Sequence, residues 1–237
     1  MKQVKEVTER KRGRPRRGNE QNAEGLLDAA LETFAAFGFE QTSMRSIATA
    51  AGVDVALISY RYGSKVGIWK ATVTEVARET VELLQLAVKR AEEQAEADRI
   101  DFISSEMVEV IWRRPHFSKL LFSEILTGQD EERKNFIEEA LARPFFELLY
   151  PFMQKNLILT GRQHSFDTRL GILVSIAIPG LLSSTQEFTG RLVEVARQDD
   201  SLRLEIKQVV QSLWAGPEPS PSAEILRARG AGRVRGS

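Results

Sequence analysis

Hydroxyl and basic side chains are concentrated between residues 42 and 65, and their spacing suits binding to a DNA duplex. Outward-facing arginine and serine can hydrogen-bond to base edges, and small apolar side chains can contact thymine methyl groups. The predicted base-contacting residues are Arg45, Val55, Ala56, Ser59 and Arg61. Other hydroxyl and lysine groups would hold the phosphates and set the register on the duplex. The predicted phosphate-contacting residues are Thr42, Ser43, Tyr60, Tyr62 and Lys65.

Two short helices joined by a glycine turn are needed to position these side chains. Thr42 can cap the first helix, and Gly52 can end it because glycine tolerates a positive φ. Asp54 can cap the second helix, and Gly63 can end that one. Ser64 then caps a long third helix that we expect to run to about residue 92. The arrangement is a helix-turn-helix, in which the second helix enters the DNA major groove.

The sequence over residues 22–70 resembles the TetR family of bacterial transcriptional regulators. The shared features are a helix ending in F-G-F, a T-S-M-R cap, an I-A-x-x-A-G-V turn, an aromatic-rich recognition helix and a G-S-K cap. Ser59, Arg61, Val66 and Gly67 depart from the residues usual in the family, which bears on base preference. The resemblance implies an all-helical effector-binding and dimerisation domain after residue 70, and repression as the usual outcome.

Basic charge is concentrated at the start of the chain, although the formal net charge of the whole sequence is zero. Residues 1–18 contain eight cations and two anions, a net charge of +6. The segment K-R-G-R-P-R-R within them resembles the core of an AT-hook, in which arginines follow a narrow A·T minor groove. On that reading Arg12, Arg14 and Arg16 contact DNA. The alternative is a disordered basic tail that attracts DNA without specificity.

The rest of the chain predicts an all-α fold, since no strand-like alternation is sustained. We expect a disordered basic arm at 1–18, a helix-turn-helix DNA-binding domain at 19–65, a helical effector-binding and dimerisation domain at 66–215, and a disordered tail at 216–237. Within the helical domain, helices are expected at about 101–112, 116–127, 130–158, 166–187 and 201–214. Pro144 and Pro179 should kink or interrupt them.

Two surfaces are predicted for the helical domain. Aromatic and large apolar residues with a few interspersed polar groups indicate an effector pocket. The pocket candidates are Met107, Trp112, His116, Phe117, Phe122, Phe146, Tyr150 and Arg169. For each of these residues an ordinary place in the helical core is the competing interpretation. A helix over 166–187 that is apolar nearly all round, with its neighbour over 201–214, predicts a dimer interface. The interface candidates are Leu170, Val174, Ala177, Leu181, Leu202, Ile206, Val209 and Val210.

Several function classes are disfavoured by the composition. The sequence contains no cysteine, which excludes disulfides, thiolate metal sites and cysteine nucleophiles. Common catalytic and nucleotide-binding motifs are absent, and His116 and His164 lack metal-ligand spacing, so we expect no enzyme, cofactor or metal. The uncharged run at 170–186 is too short and too polar for a favoured membrane span. Without an apolar segment near the N-terminus we expect no signal peptide, and hence a cytoplasmic, nucleoid-associated bacterial protein.

These features together suggest a regulator that binds a palindromic operator as a dimer. In this hypothesis an effector moves the long helix that begins at Ser64, so that the two recognition helices no longer match successive major grooves. Two alternatives remain open: an architectural protein that coats A·T-rich DNA without a defined operator, and an interaction protein whose helical domain mainly binds another protein.

Overall fold

The computed structural model describes residues 21–162 and 166–215, and within these ranges the chain consists of helices joined by short turns, without β-strands. The prediction of an all-α protein, with a helix-turn-helix followed by a larger helical domain, is confirmed. The expected arm at 1–18, with Arg12, Arg14 and Arg16, and the expected tail at 216–237 lie outside the described residues.

Short helices near the start of the described chain are followed by longer ones. In chain order they are α1 (Gln21–Gln41), α2 (Met44–Ala51), α3 (Val55–Tyr62), α4 (Lys65–Glu92), α5 (Arg99–Trp112), α6 (Pro115–Thr127), α7 (Glu131–Ile137), α8 (Arg143–Thr160), α9 (Thr168–Ser184), α10 (Gln186–Leu192) and α11 (Asp199–Trp214). A π-helical turn, Glu138–Ala142, joins α7 to α8, and a 3₁₀ turn, Glu194–Arg197, precedes α11. Gly38 has a φ of 73° and separates the last turn of α1 from the rest of that helix.

One apolar core holds α1, α2, α3 and the first half of α4 together. Phe34, Ile47, Ile58 and Trp69, one from each helix, are buried in it with exposures of 1% or less. Burying a side chain of this size contributes about 1.5–3 kcal/mol relative to leaving it exposed. The core therefore fixes the angle at which α3 stands against the remainder of the unit.

A second core centres on α5, which packs against α4, α9 and α11. Gly171 of α9 permits a close approach there, because a Cβ atom at that position would lie 2.5 Å from the ring of Trp214. The Trp214 indole donates a hydrogen bond to Ser175 Oγ at 2.9 Å. This contact fixes α9 to α11, and the two helices form one side of the larger domain.

Two of the predicted helices are divided in the structure. The π-helical turn breaks the helix predicted over 130–158, directly before Pro144, whose nitrogen has no hydrogen to donate. The helix predicted over 166–187 ends at Ser184, and α10 departs from it at 87°. Pro179 lies inside α9 without ending it. In the described ranges no single helix is long and apolar enough to cross a membrane, and only the bent pair α9 and α10 reaches that length and composition.

Candidate nucleic-acid interface and internal cavity

Side-chain caps define the turn between α2 and α3. Ser43 Oγ accepts the backbone N–H of Ser46 at 3.0 Å, and Ser46 Oγ accepts the backbone N–H of Ser43 at 3.0 Å. Gly52 takes up a left-handed conformation with φ 65°. Asp54 Oδ1 then accepts the backbone N–H of Ala56 at 2.8 Å. Each cap contributes about 1 kcal/mol, so the turn is locally specified.

The outer face of α3 is open to solvent, as the helix-turn-helix pattern predicts. Tyr60 is 88% exposed and Val55 is 37% exposed, whereas Ile58 on the opposite side is fully buried. The exposed members of the predicted DNA-contacting set are Ser43, Arg45, Val55, Ala56, Ser59, Tyr60 and Arg61. These exposed side chains include one aromatic ring and two guanidinium groups.

Thr42 has a different place from the one predicted. Its side chain is buried at 2% exposure, and its hydroxyl donates to the carbonyl oxygen of Gly38 at 2.7 Å. The prediction that Thr42 caps α2 and contacts phosphate is therefore wrong; Ser43, one residue later, is the cap. Adjacent threonine and serine residues are both good caps, so the sequence alone does not separate them.

Lys65 and Tyr62 also have structural partners. Lys65 Nζ donates to the carbonyl oxygens of Phe39 and Glu40 at 3.0 and 3.3 Å, where it satisfies the end of α1. Tyr62 is half-buried against the first core. These two residues make contacts within the protein on the side of α3 that faces its core. Such contacts compete with the phosphate contacts predicted for them.

Gly67 brings the end of α3 against the start of α4. A Cβ atom at residue 67 would lie 1.9 Å from the carbonyl oxygen of Tyr62, so any other residue would displace the last turn of α3. The Gly67 backbone N–H donates to the capping Ser64 hydroxyl at 3.1 Å. Glycine at this position thus permits the close approach of α3 and α4.

A buried arginine connects the end of α1 to the larger domain. Arg133 of α7 is bound to Glu124 at 2.8 Å, to Asp130 at 2.9 Å and to Glu40 at 3.2 Å. Its side chain is 6% exposed and that of Glu124 is 5% exposed. The guanidinium also lies 3.9 Å from the centroid of the Phe39 ring, within cation–π range. We call this cluster, Phe39, Glu40, Glu124, Asp130 and Arg133, the carboxyl-end joint of α1.

A second arginine connects the beginning of α1 to the larger domain. Arg114, directly before α6, is bound to Asp28 of α1 at 2.9 Å and to Glu79 of α4 at 2.9 Å. These side chains are 38%, 58% and 36% exposed. We call the three residues the amino-end latch of α1. Burial opposes the charge of Arg114, but the bonds to Glu79 and Asp28 outweigh it and raise the pKa of the guanidinium.

An apolar cavity of about 170 Å³ lies beside Arg114 in the larger domain. Helices α4, α5, α6, α8 and α9 and the π-helical turn all contribute to its wall. The lining residues are Thr80, Val110, Ile111, Arg114, Phe117, Ser118, Leu121, Phe122, Ile125, Ile137, Leu141, Ala142, Phe145, Phe146, Leu173, Ile176, Ala177 and Gly180. Arg114 therefore belongs both to the cavity wall and to the latch.

The cavity contains three of the predicted pocket residues, Phe117, Phe122 and Phe146. The other five lie elsewhere. Met107 is fully buried in the second core, and the Trp112 indole donates to Asp199 at 2.7 Å. His116 is exposed. Arg169, exposed on α9, lies 4.5 Å from the Tyr150 ring centroid. These five residues do not line this cavity, because their side chains are directed to the core or to the surface. Their assignment to it is corrected. His164 lies outside the described residues.

Most of the wall could not be predicted from the sequence because its residues come from helices far apart in the chain. Thr80 is separated from Ile176 and Gly180 by about a hundred positions. A local signal exists only for Gly180, where a Cβ atom would lie 3.2 Å from the Phe122 ring. A larger cleft of about 550 Å³ lies between the end of α1 and α6, but its buried charges, Arg133 and Glu124, are paired with each other.

The predicted dimer-interface residues divide into two groups. Leu170 and Leu181 of α9 are 53% and 50% exposed, and Val209 of α11 is 53% exposed. Val174 and Ala177 are half-buried, Ala177 on the cavity wall. The second group is buried within the chain at 5% exposure or less, and comprises Leu202, Ile206 and Val210. These three pack in the chain's own core and offer no surface to a second chain, so their assignment is corrected.

Among the described residues, no cluster of histidine and carboxylate side chains is arranged to hold a metal ion. In the described chain, the exposed face of α3 is the candidate DNA-binding surface and the apolar cavity is the candidate effector site.

Residues 26–79 match the sequence model of the bacterial regulatory proteins of the tetR family. This range runs from α1 through the first half of α4 and includes the whole helix-turn-helix. The DNA-binding region of this chain is that of the TetR family. The protein is accordingly a transcriptional regulator with a helix-turn-helix DNA-binding unit. No curated protein matches the chain significantly in sequence.

Solved structures share the TetR-family fold over most of the chain. FadR from Bacillus subtilis, in complex with stearoyl-CoA, matches with a TM-score of 0.62 and 17% identity over 83% of this chain and 100% of that chain. A HlyIIR mutant matches with 0.59 and 19% identity over 84% and 98%. The regulator PfmR from Thermus thermophilus matches with 0.58 and 18% identity over 83% and 97%. At these identities the likeness establishes the fold.

Proposed function

We propose that this TetR-family protein is a repressor that binds a palindromic DNA operator as a homodimer and is released by a small-molecule effector. Residues 19–65 form the DNA-binding domain and residues 66–215 the effector-binding and dimerisation domain. It works in the bacterial cytoplasm and catalyses no reaction. The observation that carries the proposal is the exposed face of α3 on a capped helix-turn-helix.

The composition of that face matches the major groove. Arg45 and Arg61 can form bidentate hydrogen bonds to guanine, and Val55 and Ala56 can contact thymine methyl groups. Ser59 adds a hydroxyl that suits either base edge. We assign Tyr60, which is 88% exposed, and the exposed capping residue Ser43 to phosphate contacts.

The described helix-turn-helix carries little positive charge of its own. Residues 21–65 contain three cations and five anions, a net charge of −2, whereas residues 1–18 have a net charge of +6. Attraction to the phosphate backbone requires basic charge, which in this chain the N-terminal arm supplies. We therefore assign Arg12, Arg14 and Arg16 to the minor groove next to the site that α3 reads.

Dimerisation is supported by apolar surface on two neighbouring helices. Leu170, Leu173 and Leu181 of α9 are each about half exposed, as are Leu204 and Val209 of α11. Surface of this kind favours a partner, and a second copy of the chain is the simplest one. A two-fold dimer would place two recognition helices about 34 Å apart, one turn of the duplex.

Release by an effector is supported by the shared position of Arg114. The residue precedes α6, whose Phe117, Leu121 and Phe122 line the cavity, and it binds α1 through Asp28. A molecule that displaces α6 would pull Arg114 from Asp28 and free the beginning of α1. Because α1 packs directly on α2, the recognition helices would lose their spacing.

Selection of binding sites from a random duplex pool at near-physiological salt tests the proposal. Recovery of one palindrome is the expected result. Recovery of A·T-rich sequence without dyad symmetry would favour the alternative, an architectural protein that coats A·T-rich DNA without a defined operator, which the basic arm alone could support.

Substitution of Arg61 separates specific from general binding. Arg61→Ala should weaken binding to the selected site by about 1–3 kcal/mol, roughly 5- to 150-fold, and leave the dimer intact. Arg78→Ala is the matched control, since Arg78 is an exposed arginine of α4 paired with Glu75 and Glu82. Titration by fluorescence anisotropy measures both, and equal affinities for the two variants would mean that α3 is not the reading surface.

Deletion of residues 1–17 tests the arm. The affinity should fall, and the slope of log affinity against log salt should become less steep by about 0.9 for each lost phosphate contact. An unchanged slope would show that the arm does not touch DNA.

A further inference from the structure

We propose that the cavity beside Arg114 takes an electrically neutral molecule of about one aromatic ring. This inference rests on the proposed effector role of the same cavity, and it concerns the size, charge and shape of the effector. Neither a fatty acyl chain nor a small organic anion belongs to the class we infer.

The volume sets the size of the occupant. Pockets for drug-sized ligands measure about 300–1,000 Å³, whereas an apolar cavity of about 150 Å³ holds one benzene molecule. The cavity here measures about 170 Å³. It therefore fits a single ring with a small alkyl substituent, and a long acyl chain such as the one bound by FadR from Bacillus subtilis does not fit without rearrangement.

The polar groups of the wall set the charge. Among the described residues that form the wall, Arg114 is the only one with an ionisable side chain, and its guanidinium is bound to Glu79 and Asp28. The Thr80 hydroxyl donates to the backbone oxygen of Val76 at 2.7 Å. An anion in the cavity would have to compete with two carboxylates for Arg114, and it would otherwise lie unpaired among apolar side chains, which is costly.

Aromatic side chains set the shape. Phe117, Phe122, Phe145 and Phe146 all line the cavity, and the ring planes of Phe145 and Phe146 stand at 69° to each other. Aromatic pairs prefer offset or edge-to-face contacts, so such a wall favours a flat ring over a flexible chain. Gly180 opposite Phe122 keeps the space open, since a Cβ atom there would be 3.2 Å from that ring.

The full-length protein should be titrated with toluene, benzoate and decanoate, with binding followed by ligand-observed NMR and by the shift in melting temperature. Toluene and benzoate are similar in size but differ in charge, and decanoate adds chain length. We expect toluene to bind at least about tenfold more tightly than either anion. Leu121→Trp and Ile176→Phe, which add volume at the wall, should each abolish toluene binding, whereas Leu148→Trp, at a half-buried site off the cavity, should retain it.

Four outcomes distinguish the claims. Tighter binding of benzoate or decanoate than of toluene overturns the inference, and so does the absence of any toluene binding. Equal toluene binding by the wild type and both filled-cavity variants also overturns it, since the site would then lie elsewhere. Toluene that binds in the cavity without weakening the complex with the selected DNA supports the inferred ligand class but overturns the proposed effector role.

Discussion

The two ends of α1 are held by arginine in opposite ways. At the carboxyl-end joint, Arg133 and Glu124 are almost fully buried, and Phe39 packs against the guanidinium. At the amino-end latch, Arg114, Asp28 and Glu79 are between one-third and three-fifths exposed. Removing one partner of a buried ion pair costs several kcal/mol, whereas exposed pairs contribute about 0–1 kcal/mol. The polar contacts of α1 are therefore stronger at its carboxyl end, where the guanidinium is buried, than at its amino end, where the ion pair is exposed.

This difference indicates how a small change near the cavity can reach the DNA-binding surface. The carboxyl end of α1 also accepts hydrogen bonds from Lys65, the first residue of α4, which follows the recognition helix. The amino end, with the weaker ion pair, is bound to Arg114 on the cavity wall. A rotation of α1 about its carboxyl-end joint would thus leave the helix-turn-helix folded while changing its position relative to the larger domain.

The largest expected effect is at the joint. Arg133→Met leaves the buried Glu124 carboxylate without its cation and should lower the free energy of unfolding by about 3–5 kcal/mol. Urea unfolding followed by circular dichroism measures the change. Arg133→Met combined with Glu124→Leu should recover most of it, and Arg143→Met, at an exposed arginine, should have little effect. A loss no larger for Arg133→Met than for Arg143→Met would mean that the buried ion pair at the joint does not stabilise the fold.

An intermediate effect is expected at Thr42, which lies at the same end of α1. Thr42→Val removes the hydroxyl that donates to the partly buried carbonyl oxygen of Gly38, at a cost of about 1–3 kcal/mol. The exposed neighbour provides the comparison, because Ser43→Ala removes a cap worth about 1 kcal/mol. A larger loss of unfolding free energy for Ser43→Ala than for Thr42→Val would contradict the assignment of Thr42 as a buried structural residue.

The smallest effect on stability is expected at the latch. Asp28→Asn should change the free energy of unfolding by no more than about 1 kcal/mol, and that difference should shrink at high salt because exposed charges are screened. Unfolding at about 0.05 M and about 1 M salt tests both points. A loss of several kcal/mol that persists in high salt would show that the polar contacts at the two ends of α1 are equally strong.

The sequence was sufficient where one residue decides a local conformation. Gly52, Asp54, Gly63 and Ser64 mark the ends of α2, α3 and α4 as predicted, because caps and positive φ angles depend on neighbouring backbone atoms. Thr42 was misassigned because its partner, Gly38, lies in the preceding helix. An interruption near Pro144 was predicted, but its form was not. The helix passes through a π-helical turn there and continues as α8.

Features that depend on packing were harder to predict. Leu202, Ile206 and Val210 repeat every four residues, and such an apolar stripe looks the same whether it faces α5 or a second chain. The cavity wall joins Thr80 to Gly180, and nothing in either local sequence indicates the other. Arg114 and Arg133 are ordinary surface residues by type, and only the fold shows that Arg133 is buried and Arg114 partly exposed.

Amide hydrogen exchange along α1, compared between the wild type and Asp28→Asn without DNA or ligand, tests the central claim most directly. The account predicts faster exchange in the variant over residues 26–31 and unchanged exchange over residues 39–42. A uniform change along the helix, or a change confined to residues 39–42, would contradict a helix whose polar contacts are weaker at its amino end than at its carboxyl end.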